Sequence, residues 1–423
     1  MGATAPPHTI EEAAAMLSKF AKSIIPLCAG ALLWSAAAEA ASPLTLTVSG
    51  SVKMPAKGSK IPTKLPRTTL QAFPVEGTTN DITPISGKAS AAGRKANRAG
   101  VAPMAYGISS EKWPYSASRV ASTTNSLGTS ALENPVTAAP YRQTGLMLMD
   151  FQDGTYQCTA SLILPNVLVT AAHCVQDYGL GAAGSAHNIQ WIPANMGDPT
   201  DPAQRPFGVW TADRVVISDS YYNGTDTCAR NAVGVVCNND IAVIVLNRQA
   251  GDKAATILGD AYMYGWNGYS YIKSPAFKNL TVADITELGY PVAFDNGEQM
   301  QRNASFGKYT VSKGKATTTR KPLLNTQLGT PLTGGSSGGP WLVNFGTRPT
   351  VSSEASLGND SLSNVVVGVT SWGYTATGYN VQGSSFFGQN YEFPLAAYGI
   401  YGGGNIGALV QAACTAVPEA CLD

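Results

Sequence analysis

Two short stretches of the chain carry residue types suited to acyl transfer. Thr170-Ala171-Ala172-His173-Cys174 holds one of only three histidines, and Gly334-Gly335-Ser336-Ser337-Gly338-Gly339-Pro340 offers a serine on a glycine-rich turn. An imidazole accepts a proton near neutral pH without large tuning, and a hydroxyl becomes a competent nucleophile when such a base takes its proton. His8 falls in a leader-like segment and His187 has the neighbours of a loop residue, so His173 is the candidate base by elimination. Glycines at 335, 338 and 339 permit a tight turn in which backbone N–H groups approach a reacting carbonyl. The amides of Gly335 and Ser337 are the expected oxyanion hole, where one donor is worth roughly 2.7–4 kcal/mol in the transition state. Asp240, in Asn238-Asn239-Asp240-Ile241-Ala242-Val243, is the candidate third member, a carboxylate at the mouth of an apolar strand that would fix the histidine tautomer.

Each stretch alone has a plainer reading: a core histidine, a flexible Gly-Ser turn, a surface aspartate. Chain order separates the possibilities. Gly335-x-Ser337-x-Gly339 also fits the nucleophile elbow of α/β-hydrolases, but those enzymes need a histidine after the serine, and none follows Ser337. Subtilisins run Asp, His, Ser; Asp150 and Asp153 precede His173, but the alternating helices of that fold are missing. The order His173, Asp240, Ser337 is that of chymotrypsin-like enzymes.

The elements that would position these residues read as short strands. Leu146–Met149, Ser161–Leu164, Val167–Thr170, Val215–Ile217, Ile241–Leu246, Thr286–Tyr290, Trp341–Val343 and Val365–Trp372 are apolar or β-branched runs between turn residues. That pattern predicts an all-β barrel or sandwich. Helical periodicity is confined to Ile406–Ala413.

The chain of 423 residues divides by charge. Ser42–Ser130 carries eleven Lys and Arg against three Asp and Glu, a balance of +8; Ala131–Asp423 carries fifteen against twenty-one, a balance of −6. The overall +1 predicts no nucleic-acid partner. Lys19 and Lys22, the apolar Ile24–Trp34 and the small-x-small step Ala38-Glu39-Ala40 read as a secretory signal over residues 1–41, with Met16 as an alternative start. Removing it leaves no membrane segment and places the product outside the cell, or in the periplasm of a Gram-negative source. The low-complexity segment 42–130, with pieces such as Lys53–Gly58 and Gly93–Arg98, is expected to be weakly structured. It reads as a linker or, preferably, as a propeptide that inhibits the acidic body or aids its folding. Of seven cysteines, Cys28 leaves with the leader, and an even number in an exported chain reads as disulfides. Spacing favours Cys158–Cys174, Cys228–Cys237 and Cys414–Cys421. No Cys-x-x-Cys pair is present, so no metal site and no cofactor are expected.

Thr170–Cys174, Asp240–Val243, Gly335–Pro340 and Ser371-Trp372-Gly373 together resemble, in order, the signature stretches of trypsin-like serine peptidases. Ala139-Pro140-Tyr141-Arg142 is similar to the bacterial glutamyl-endopeptidase-like branch. The resemblance implies two six-stranded antiparallel β-barrels, about 135–265 and 266–414 within a peptidase domain 131–423, with the active site in the cleft and a short C-terminal helix. It implies that Cys158–Cys174 braces the histidine, that Pro331 sits at the substrate-pocket floor, and that Ser371, Trp372 and Gly373 pair with substrate backbone. Two departures follow. Ser336 stands where many members carry the aspartate that binds a newly cut N-terminus, and Thr370 and Ser371 stand just before the Trp-Gly step, where glutamate-specific members carry a histidine. The expected function is a secreted serine endopeptidase made as a preproprotein, cutting proteins or peptides after an uncharged P1 residue. The alternative is a catalytically silent binding module on the same scaffold.

Overall fold

The computed structural model describes residues 43–48, 105–121, 135–265, 272–274, 280–312, 317–352, 362–374 and 378–422. The leader and the pieces Lys53–Gly58 and Gly93–Arg98 lie outside them. The strands are β1 (Leu44–Thr47), β2 (Ala105–Ile108), β3 (Pro114–Arg119), β4 (Thr144–Phe151), β5 (Gly154–Leu164), β6 (Val167–Thr170), β7 (His187–Pro193), β8 (Trp210–Ile217), β9 (Ala242–Leu246), β10 (Met263–Tyr264), β11 (Ile272–Ser274), β12 (Leu280–Gly289), β13 (Gln301–Ser312), β14 (Leu323–Gly329), β15 (Pro340–Val343), β16 (Val365–Gly373) and β17 (Val381–Phe386). The α-helices are α1 (Asp219–Tyr222), α2 (Ala254–Leu258) and α3 (Gly404–Ala416).

Two closed six-stranded antiparallel barrels result. The first runs β8-β7-β4-β5-β6-β9 and closes through β8–β9; the second runs β12-β15-β16-β17-β14-β13 and closes through β12–β13. Closure removes bare sheet edges and lets alternate side chains fill each interior. β9 and β6 are buried at every position because the first barrel is covered on both faces. α3 supplies one cover: Ile406, Leu409, Val410 and Ala413, at helical spacing, join the same core as Val216, Ile244 and Leu168. The helix therefore packs on the first barrel although it follows the second in sequence. Cys414–Cys421 and the Asn166 N–H to Ala420 carbonyl bond (2.9 Å) hold the tail there. All three spacing-based disulfides are present. Among the described residues no helix is long and apolar enough to cross a membrane.

Part of segment 42–130, expected to be weakly structured, forms three strands. β1 pairs β8 over Leu44↔Ile217 to Thr47↔Arg214, and the β2–β3 hairpin adds to β13 through Tyr115↔Ser305 to Arg119↔Gln301. The hairpin is fastened by Arg119 Nε to Asp295 Oδ2 (2.7 Å), Val120 N–H to Met300 O (2.9 Å) and Ser110 N–H to Tyr379 O (2.9 Å). Composition misleads here because these strands are stabilised by backbone pairing on an existing edge more than by apolar burial.

Candidate active site

His173 lies in a short 3-10 turn, Ala172–Cys174, directly after β6. Its backbone N–H donates to Asp240 Oδ1 (2.8 Å), and its ring Nδ1 is 2.8 Å from Asp240 Oδ2. A carboxylate can only accept, so Nδ1 carries the proton and the Nε2 lone pair is left as the basic position. Nε2 is buried and, among the described residues, has no hydrogen-bond partner. The Cys158–Cys174 bond joins β5 to the residue after His173, which fixes the turn against the barrel wall.

Asp240 is fully buried at the start of β9, and the two asparagines before it act as anchors. Asn238 donates from Nδ2 to Pro322 O (2.9 Å) and accepts at Oδ1 from Leu324 N–H (2.8 Å), tying the turn to β14 of the second barrel. Asn239 donates its N–H to Asp226 Oδ2 (2.8 Å) and its side-chain amide to Asp226 Oδ1 (3.1 Å) and Glu392 Oε2 (2.7 Å). Burial pushes the Asp226 carboxyl well above the carboxylate range, with the Glu392 charge adding to it, and burial raises Glu392 as well. Cys228–Cys237 closes the loop that leads into this turn.

Ser371 reaches the same carboxylate. The β16–β17 register shifts between Thr370 and Trp372, so Ser371 is the extra residue of a bulge. A bulge re-aims a side chain, and here the Ser371 hydroxyl lies between Asp240 Oδ2 and the Val235 carbonyl, with its single proton to give to one of them. Its neighbour Thr370 points into the second barrel, where its hydroxyl accepts from Trp341 Nε1 (2.9 Å) and donates to Glu287 Oε1 (3.1 Å). Glu287 is fully buried and also accepts from Thr330 Oγ1 (2.9 Å) and Asn303 Nδ2 (3.3 Å). Burial raises its pKa to about 7 against the opposing pull of these three donors.

The turn bearing Ser337 is seated on the first barrel. Gly338, at φ +78°, lies where a Cβ would overlap Thr170 Oγ1 and the Thr159 carbonyl, so glycine is required for both conformation and space. Six consecutive carbonyls of this turn each receive a donor. Leu332 O takes Gln382 Nε2 (2.9 Å) and Thr333 O takes the Ser336 hydroxyl (2.6 Å). Gly334 O takes Val292 N–H (2.9 Å) and Gly335 O takes Thr159 Oγ1 (2.8 Å). Ser336 O takes Gly339 N–H and Ser337 O takes Thr159 N–H, both at 2.8 Å. In a trans peptide the C=O and the following N–H point in opposite directions. Anchoring Gly334 O and Ser336 O therefore turns the N–H groups of Gly335 and Ser337 to the other side. Among the described residues neither amide donates to a protein acceptor.

The sequence-predicted pocket residues are placed less centrally. Pro331 is half-buried just past β14, next to Thr330, whose N–H bonds Asn380 O (2.8 Å). Trp372 packs inward, donating to Asn325 Oδ1 (3.0 Å) with its ring edge-on to Tyr374. Gly373 pairs with Gln382. β15 accompanies β16 only as far as Pro340↔Val369, so among the described residues Ser371–Gly373 has a strand neighbour on one side only. Residues not singled out from sequence are Thr159, Gln382, Glu287 and Asn239. Thr159 carried a usable signal, since it adjoins the cysteine that braces His173.

The family profile described as "Trypsin" matches residues 134–386. The chain belongs to the trypsin family. Solved structures similar to it include a thermostable serine protease AL20 from an extremophilic microorganism (23% identity, 58% of this chain and 92% of that one, TM-score 0.41). Others are the protease Anisep from Arthrobacter nicotinovorans (22%, 59% and 91%, TM-score 0.40) and a Glu endopeptidase in complex with MPD (18%, 71% and 95%, TM-score 0.37). A search of curated proteins gave no match. The trypsin-family region begins at residue 134, so the β2–β3 hairpin is an addition ahead of it.

Proposed function

We propose that the protein is a secreted serine endopeptidase that hydrolyses peptide bonds through an acyl-enzyme on Ser337. Ser337 Oγ attacks the scissile carbonyl carbon as His173 Nε2 takes its proton. Asp240 holds the imidazole and offsets the positive charge that forms on it. The carbonyl oxygen, now negative, is received by the N–H groups of Gly335 and Ser337. His173 then donates its proton to the leaving amine, and water repeats the sequence to release the acid. The observation that carries this reading is the buried, unpartnered Nε2 of a histidine whose Nδ1 is committed to Asp240.

The free side of Ser371–Gly373 suits an extended substrate backbone added as a further strand. An uncharged P1 residue suits the pocket, because Pro331 and its neighbours Thr330, Leu332, Thr333 and Gln382 are all neutral. Maturation removes the leader. Since Ala105–Ala121 pairs with the second barrel, any further processing that keeps this packing cuts before Ala105.

The test is hydrolysis of casein by the purified mature protein and by Ser337→Ala, with fluorophosphonate labelling of both. Activity and labelling in the parent and neither in the variant are expected. A folded parent that takes no label would instead make the protein a silent binding module.

A further inference from the structure

The turn that carries Ser337 is held without a charge. In the trypsin-like pattern the residue before the nucleophile is commonly an aspartate that binds a newly cut N-terminus; here it is Ser336. Ser336 is fully buried and gives its hydroxyl proton to Thr333 O, two residues from Gly335. Gln382 comes across from β17 on the other side. It is 5% exposed, and its Nε2 donates to Leu332 O (2.9 Å) and to Ser336 Oγ (3.2 Å). One amide thus spans the turn from its entry at Leu332 to the residue before the nucleophile. The remaining anchors are the backbone N–H groups of Val292 and Gly339 and the N–H and hydroxyl of Thr159. None is ionisable, and none is a chain end.

We propose that Gln382 is a positioning residue that sets the Leu332–Ser337 turn in its working shape, and that the oxyanion hole consequently forms without a freed N-terminus. This rests on the peptidase reading above. The carboxamide is suited to the task because it presents two N–H donors from one rigid plane. A buried aspartate at position 336 would need a cation to offset its desolvation, whereas the serine–glutamine pair needs none. A latent precursor of this enzyme is therefore held off by occlusion of the cleft and not by a collapsed oxyanion hole.

The measurement is the second-order labelling rate by a small fluorophosphonate, which needs nucleophile and oxyanion hole but no P1 contact. Gln382→Leu is expected to slow labelling and kcat on the order of 10-fold, the scale of a lost hydrogen bond, with a smaller change in KM. Gln382→Glu adds a readout that packing alone would not move. Its neutral acid can still donate to Leu332 O, and its carboxylate cannot. The variant-to-parent rate ratio is expected to rise as pH falls from about 8 toward about 4, into the carboxyl range. If Gln382→Leu does not fold, this ratio carries the test. Succinylating the amino terminus of the parent should leave its labelling rate unchanged. Labelling of Gln382→Leu at the parental rate, a pH-independent ratio for Gln382→Glu, or loss of labelling on blocking the amino terminus would each overturn the proposal. A parent that never labels refutes the peptidase reading itself.

Discussion

Replacing Glu287 by Gln removes an ionisable group from the interior of the second barrel while keeping its shape. Glu287 is fully buried, and its oxygens accept hydrogen bonds from Thr330, Thr370 and Asn303. Among the described residues no cation offsets the cost of ionising it; burial carries its pKa from the ordinary 4.5 to about 7. Between those values the folded protein keeps a proton that the unfolded chain has released. The stability contributed by this group is thus fully present below pH 4.5 and is lost as pH rises through about 7. The gap corresponds to about 3 kcal/mol. The amide exchange adds a fixed offset, because donors that suited a carboxylate meet an NH₂ group, but that offset does not titrate. Relative to its parent, Glu287→Gln should gain about 3 kcal/mol between pH 4.5 and pH 8.5, whatever its standing at the acid end. Urea unfolding of both proteins on a Ser337→Ala background, chosen so that the proposed activity cannot cut the chain, measures this. A stability difference that stays constant across the range would refute the reasoning.

Two further outcomes follow from the seat of the nucleophile. Gly338→Ala forces a side chain onto Thr170 Oγ1 and the Thr159 carbonyl at a positive φ, and should cost roughly 3 kcal/mol or more in thermal unfolding and abolish fluorophosphonate labelling. Replacing Cys158 and Cys174 together by Ala opens a loop with a sequence separation of 16 and should lower the unfolding free energy by about 3 kcal/mol in denaturant titration.

The catalytic candidates and most core strands were legible because their chemistry is local. β9 and β16 announce themselves as continuous β-branched runs, since both faces of each are covered. β13 and β17 were not legible, and the reason is physical. Their buried positions include Asn303, Ser305, Gln382 and Ser384, polar side chains that bond to Glu287, Gly329, Leu332 and Thr326 in that order. Such strands lack the apolar alternation that marks a half-buried strand. The same circumstance hid Glu287 and Gln382, whose partners lie far along the chain at Thr370 and Leu332. The contact of Ser371 with Asp240 went unread for a related reason: the bulge turns its hydroxyl to Asp240, and a strand read with strict alternation does not predict a bulge. The hairpin of β2 and β3 escaped notice because its support comes from an edge elsewhere in the fold.

The four-residue strand β1 covers Arg214–Ile217 of β8 while residues 49–104 tether it to the rest of the chain. The tether keeps its local concentration high, and a cut anywhere in those residues turns an intramolecular pairing into a bimolecular one. Four backbone pairs, the Val48 N–H to Asp213 O bond (2.8 Å) and the packing of Leu46 and Val48 on the core then hold the strand, and dilution favours its loss. Maturation would then do more than trim the chain. It would uncover a new edge on the first barrel, at Arg214–Ile217, to which another extended segment can add.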